Sequence, residues 1–226
     1  MLSISATDEW RTTHRGAVIG LLELSSVANA QPSAQLEGRK RETETRLRAA
    51  YQGFTRQDFL TLPVMAAYEQ YYKRFKKTYH VQLQVESIVL KGKNLPSVSP
   101  LVDASFVAEV ETFVLTAGHD VAGLQGSLLI DVSHEGDPIT QMNGATKPMH
   151  TGDMIMKDAN GICCSIIYGQ DNRSPISSQT TGVLYVAYAP PGVPAETVDA
   201  QLQKIEANIR LFCPEALAEQ HRLLSA

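Results

Sequence analysis

The stretch "GDMIMKDANGICCSIIYG", residues 152–169, sets the grain of the second half of the chain. On either side of "DANG" the apolar residues run in segments of strand length. Asp158, Asn160 and Gly161 supply turn chemistry between them, which predicts a β-hairpin. The same grain extends outward through "SLLIDVS" (127–133), "DPITQMNG" (137–144) and "GVLYVAYAPPG" (182–192), short strand-like runs divided by Gly, Asn and Asp.

Ahead of residue 127 the period is helical, apart from "GAVIGLLEL" (16–24), whose small and branched apolar residues read as a buried strand before a polar turn through Asn29 and Pro32. Ser33 caps a predicted helix that reaches about Tyr51 and ends at Gly53. Thr55 starts a short helical turn, and Pro63 suits the first position of a helix running through "YYKRFKKTYH" (71–80). Tyr68, Tyr72, Phe75 and Tyr79 are spaced to form one inward stripe on that helix. Val81, Val85, Ile88 and Val89 share a helical side that stops at Gly92 and Pro96. Ser99 and Pro100 open the next helix, where Leu101, Val102, Phe106, Val110, Phe113, Val114 and Ala117 recur at helical spacing and Gly118 marks the end. A last helix opens at Pro194 and Glu196, runs to about Phe212, and is followed by Pro214 and a short terminal helix. Strand, helices, a run of strands and a helix argue an α+β fold, not an alternating α/β one.

With 226 residues and 43% apolar content, the chain can bury a substantial core. Its longest apolar runs fall short of a membrane span, and the N-terminus has no basic-plus-apolar signal region, which predicts a cytoplasmic protein with no membrane partner. Three cysteines, two of them adjacent (Cys163 and Cys164), cannot make a paired disulfide framework and read as reduced core residues. No His or Cys pair has zinc-site spacing, so no metal or other cofactor is expected. The net charge of −4 hides an asymmetry: residues 36–93 hold twelve Lys/Arg against six Asp/Glu. Such a basic third is the electrostatic footprint of a polyanion surface, with Arg39, Lys40, Arg41, Lys73, Arg74, Lys76 and Lys77 as its candidate contacts. Solvated helix faces produce the same pattern. The aromatic stripe faces inward, so stacked single-strand readout loses support and a phosphate-facing patch remains.

The run "VLKGKNLPSVSPLVDASFVAEVETFVLTAGHDVAGL" (89–124), then "GDMIMKDANGICCSIIYGQDNRSPIS" (152–177) and "TGVLYVAYAPPG" (181–192), resembles the B3/B4 domain of the bacterial phenylalanyl-tRNA synthetase beta chain and its free-standing relatives. The likeness covers most of residues 15–212, and its specificity lies in the order of "KGKNLP", "LVDA", Gly118 and the "GD…DANG" hairpin. It implies a β-sandwich-like core of mostly antiparallel strands flanked by helices. As a single domain over 1–226 it would have a core at 15–212, a basic helical segment at 33–96 and a helical tail at 194–226. In the synthetase this domain removes tyrosine wrongly attached to the phenylalanine tRNA; no synthetase catalytic module fits in the rest of this chain. The family's helix asparagine corresponds to about Thr112, and its histidine falls near Ala122. The resemblance further implies a close backbone approach at Gly169, narrowed by Tyr168, and a family serine at Ser174.

Ester hydrolysis of an aminoacyl group needs a held water, a donor for the developing oxyanion and a pocket for the amino acid. His119 with Asp120, expected on an exposed loop after the helix, could position the water; a surface histidine in a helix-stop loop is the plainer reading. Glu111 or Thr112 could hold the substrate ammonium or hydroxyl, or be ordinary helix positions in solvent. Two functions stay open: a tRNA-binding editing-type protein that hydrolyses mischarged aminoacyl-tRNA, and a non-catalytic module that binds an amino-acid-like small molecule.

Overall fold

The computed structural model describes residues 1–226, and the α+β class is what it shows: seven α-helices and two main sheets in which all but one strand pairing is antiparallel. The element order is β1 (Ile4–Ala6), α1 (Asp8–Thr13), β2 (Val18–Ser25), α2 (Ala34–Ala50), α3 (Arg56–Phe59), α4 (Pro63–Lys73), α5 (His80–Val89), α6 (Pro100–Thr112), β3 (Thr116–Asp120), β4 (Leu128–Val132), β5 (Pro138–Thr140), β6 (Thr146–Pro148), β7 (Met154–Asp158), β8 (Gly161–Ser165), β9 (Gly169–Gln170), β10 (Gly182–Ala189), α7 (Ala195–Arg210) and β11 (Leu217–Ser225). One sheet runs β1-β4-β7-β8-β9, the other β11-β2-β10-β3, and β5-β6 is a separate hairpin. The "DANG" turn joins β7 to β8, as its chemistry predicts.

Local signals place most helix starts. Ser33 accepts the Leu36 N–H, Thr55 and Asp58 form a reciprocal capping box, and Pro63 and Pro100 occupy first helical positions. The tyrosine stripe is core: Tyr68, Tyr72 and Tyr79 are buried, and Tyr68 and Tyr79 stack with centroids 4.1 Å apart. Each ring also carries its hydroxyl to a backbone acceptor. Tyr68 donates to Tyr188 O at 2.6 Å, Tyr79 to Phe113 O at 2.8 Å and Tyr72 to Ile166 O at 3.0 Å. Buried hydroxyls so paired avoid the cost of an orphaned polar group.

Three expectations are corrected, and one segment adds structure. The helix through "YYKRFKKTYH" stops at Lys73, because Lys76 turns left-handed (φ 55°) and the Lys77 N–H returns to Tyr72 O, a Schellman-type stop built without glycine. The chain then reverses so that Tyr72 and Tyr79 can bury their rings together (centroids 5.1 Å). Helix α6 ends at Thr112, with Phe113 left-handed (φ 63°), so Gly118 lies inside β3 and is no helix stop. Its lack of a side chain is a packing need, since a Cβ there would come 2.7 Å from Ile176 Cδ1. Residues 217–225 form a strand, not a terminal helix. β11 pairs with β2, whose buried backbone needs a second ladder opposite β10. Finally, residues 1–13 form structure that their sequence did not announce. β1 adds in parallel to β4, and α1 buries Trp10.

Strand alternation gives the four-stranded sheet two different faces. Gly20 and Ala187 turn to α7, with Val198 and Leu202 close against the Gly20 backbone. Leu184, Val186 and Tyr188 turn to the other side, where the Tyr188 ring meets Cys164 of β8. The core is contiguous from one sheet to the other. No helix is long and apolar enough to cross a membrane.

Candidate functional site

β3 is the last strand of its sheet, and a cleft of about 340 Å³ runs along its open side. Val102, Ser105 and Phe106 of α6 form one wall, Cys164, Ser165 and Ile166 with Gly169 and Gln170 form the other, and Leu115–Gly118 supply the edge between them. His80, Tyr188, Ile176 and Met142 complete the lining. The order of elements explains the hollow: α6 leaves the helix at a left-handed Phe113 and passes into an edge strand whose outer side no further strand covers.

The edge presents free backbone groups at one residue. In an antiparallel strand, alternate residues direct both N–H and C=O to the same side. Leu115 accepts from Tyr188 N within the sheet, so Thr116, Gly118 and Asp120 point outward. The Thr116 N–H is taken by Glu109 Oε1 at 2.7 Å and the Asp120 N–H by Ser174 O at 3.0 Å. Between these two closures the Gly118 N–H and C=O face the cleft with no protein partner, on a residue without a Cβ.

Around that edge the lining is apolar and uncharged, with no carboxylate, lysine or arginine in it. Polar groups are few: the hydroxyls of Ser105, Thr116 and Ser165, Gln170, His80 and the Tyr188 hydroxyl, which is buried with no hydrogen-bond partner. Gln170 donates its amide to Ser174 O at 2.8 Å, leaving its carbonyl oxygen unpaired. Burial pushes the Cys164 thiol up to about 12, so it is no nucleophile. No group of three His, Cys, Asp or Glu side chains converges anywhere in the chain. A larger and more polar groove of about 480 Å³, lined by Asn29, Ser33, Ser97 and Ser177, adjoins the cleft and shares Val98 and Ile176 with it.

The sequence candidates distribute unevenly over this geometry. Of the small-molecule set, Gly169 lines the cleft. His119 is not on an exposed loop. It is 0% exposed inside β3, and burial lowers its pKa to about 3, leaving it neutral. Its Nδ1 lies 2.8 Å from Ser174 Oγ, itself buried, and Ser174 leads on to Asp171, Arg173 and Asp158. Asp120 caps the turn at Val121–Gly123 through the Ala122 N–H and accepts from Thr180 Oγ1 at 2.6 Å. Glu111 is engaged by Thr43, Arg46 and Lys204, and Thr112 is buried against Gln201 at 2.5 Å. Tyr168 accepts the His150 N–H at its hydroxyl, away from the lining.

The basic residues divide likewise. Lys40 is buried, its Nζ held by Glu37 at 2.7 Å, Ser97 at 2.8 Å and Asp103 at 2.9 Å, so it offers nothing to an outside anion. Arg39 pairs with Glu42 and Glu111, and Arg41 with Glu44. Arg74 lies over the Tyr71 ring and donates to Gly152 O at 2.9 Å. Lys73 is exposed beside Glu69, while Lys76 and Lys77 are exposed with no partner, in the turn that leads into His80. Sequence reasoning passed over His80, Gln170, Thr116 and Tyr188. The available signal was their neighbourhood: Gln170 follows Gly169, and Thr116 and Gly118 flank one strand position.

A family model described as the B3/4 domain matches residues 66–208, and the chain belongs to that family. The phenylalanine–tRNA ligase beta subunit of Tropheryma whipplei (strain Twist) is 31% identical over 108 residues, which is 47% of this chain and 11% of that subunit. The matched stretch is thus about a tenth of its relative's length. A crystal structure of an N-terminal fragment of the phenylalanyl-tRNA synthetase beta subunit from Pyrococcus horikoshii superposes on 93% of this chain and 48% of its own, with TM-score 0.47 and 6% identity.

Proposed function

We propose that this chain is a tRNA-associated protein of the editing-domain kind, which takes the aminoacyl group of a mischarged tRNA into the β3-edge cleft and hydrolyses its ester. The observation that carries the reading is the unpartnered Gly118 N–H in an apolar hollow. It is a fixed backbone donor where a carbonyl oxygen gains charge, in surroundings that strengthen such a bond. The aminoacyl ester is already activated, so a held water suffices and a protein nucleophile is not required. Membership of the B3/4 family and the likeness to a phenylalanine–tRNA ligase beta subunit support tRNA as the carrier. Lys73, Lys76 and Lys77, exposed in the segment that precedes His80, would supply the phosphate contacts. A cytoplasmic location goes with this reading.

The test is a panel of mischarged tRNAs incubated with wild-type protein and with Gly118→Val. The expected result is hydrolysis of at least one ester and its loss in the variant, with folding checked by circular dichroism. No hydrolysis across the panel, together with tRNA binding that does not weaken as salt rises, would overturn the proposal.

A second reading has its own support. The cleft holds no charged side chain, and by the family resemblance the histidine position falls near Ala122, which supports a fold that retains a free amino-acid-like ligand without reaction. Thermal stabilisation by a free amino acid, without ester hydrolysis, would select it.

A further inference from the structure

His80 is the first residue of α5 and lines the cleft, exposed on that side. Its Nδ1 stands 3.2 Å from Tyr72 Oη, and the same hydroxyl lies 3.0 Å from the carbonyl oxygen of Ile166, another lining residue. A carbonyl only accepts, so the single phenolic proton lies toward Ile166. The proton in the Tyr72–His80 contact then has to come from Nδ1. A neutral imidazole carries one ring proton, which leaves its lone pair on Nε2. That nitrogen makes no hydrogen bond to the protein, on a residue that lines the cleft.

We propose that His80 is the proton acceptor of the cleft, held in the Nδ1–H tautomer by the Ile166–Tyr72 relay so that Nε2 receives the proton of the attacking water. This rests on the hydrolytic reading above. As the water oxygen bonds to the ester carbonyl carbon, its proton passes to Nε2. As the ester C–O bond breaks, the leaving ribose oxygen takes that proton back, giving the free amino acid and the tRNA hydroxyl. Tyr72 acts through His80 and is a positioning residue. Its own place is fixed by burial in the tyrosine stripe of α4. Partial burial of the ring shifts the His80 pKa downward, which favours the neutral form that can accept.

Two measurements test the assignment. Long-range proton–nitrogen NMR of labelled protein, with the His80 signals assigned by their loss in His80→Gln, is expected to show Nδ1 protonated and Nε2 bare. Tyr72→Phe should release that preference. A protonated Nε2 in the wild type would overturn the proposal. On the mischarged tRNA panel, His80→Ala and His80→Gln should each lower kcat ~100-fold with KM within about threefold, as for a group acting in the transition state. Unchanged kcat in both variants, beside an active wild type, would remove His80 and leave the hydrolytic reading standing. An inactive wild type would overturn that reading and the catalytic role with it.

Discussion

The polar groups behind the cleft and those in front of it differ in degree: those behind make side-chain bonds to the frame, although His119 Nε2 stays buried without a partner. α6 turns Val102, Ser105 and Phe106 to the hollow while Asp103, on its other side, locks to the buried Lys40 of α2. β3 shows the same division, with Gly118 on the open edge and His119 sealed beside Ser174. In front, the Gly118 backbone and His80 Nε2 make no hydrogen bond to the protein, and the buried Tyr188 hydroxyl has at most the weak Cys164 thiol beside it. Buried polar groups without partners are costly; the residues behind are tied to the frame through their bonds to Asp103 and Ser174, and the unsatisfied groups that line the open cleft are where a ligand can supply hydrogen bonds.

That contrast can be broken in several ways. The largest expected effect is at Lys40. Lys40→Ala leaves Asp103 buried and uncompensated and should cost about 3–5 kcal/mol in urea denaturation, without altering the salt dependence of any tRNA binding. Next comes His119→Ala, which strips Ser174 of a buried partner and should cost about 1–3 kcal/mol. His80→Ala, on the open side, should stay within about 0.5 kcal/mol of wild type. Equal losses at the two histidines would erase the distinction between frame and lining.

Acid and base should sharpen it. His119 has a folded pKa of about 3 against an ordinary 6.5, so its contribution is complete above about pH 6.5 and is lost as pH falls toward 3. His119→Gln should flatten that acid limb. Glu109 is the mirror case, its pKa raised by burial from 4.5 to about 8. Stability should therefore decline as pH climbs through that window, and Glu109→Gln, which can still accept the Thr116 N–H, should remove the decline. The smallest effect is at the open cations. Lys76→Gln and Lys77→Gln should each reduce the salt slope of tRNA binding by about one, with stability unchanged.

Much of the fold was legible because its signals are local. Ser33, Thr55, Pro63 and Pro100 each announce a helix start through a bond or a fixed φ that involves only nearby residues. The "DANG" hairpin and the inward turn of Tyr68 and Tyr72 on α4 are equally short-range, whereas Tyr79 joins them only through the reversal after Lys76. The misses share a cause. Lys76 adopts a conformation that favours glycine, and nothing in "RFKKTY" says so. The run from Phe113 to Gly118 fits a helical repeat and a strand alternation alike, and pairing with β10, more than sixty residues away, decides for strand. The site was less legible still. Gly169 could be reached through family likeness, whereas His80 and Tyr188 enter the cleft from elements that no short motif joins.

The sequence by itself determined the α+β class, the family, the helix caps, the hairpin and the inward face of the tyrosines, because periodicity and capping act within a few residues. Tertiary structure alone decided which charges are buried, which histidine is sealed and which strand edge stays open. Burial and pairing depend on what distant segments bring alongside: Asp103 beside Lys40, Ser174 beside His119, and, at Gly118, no further strand.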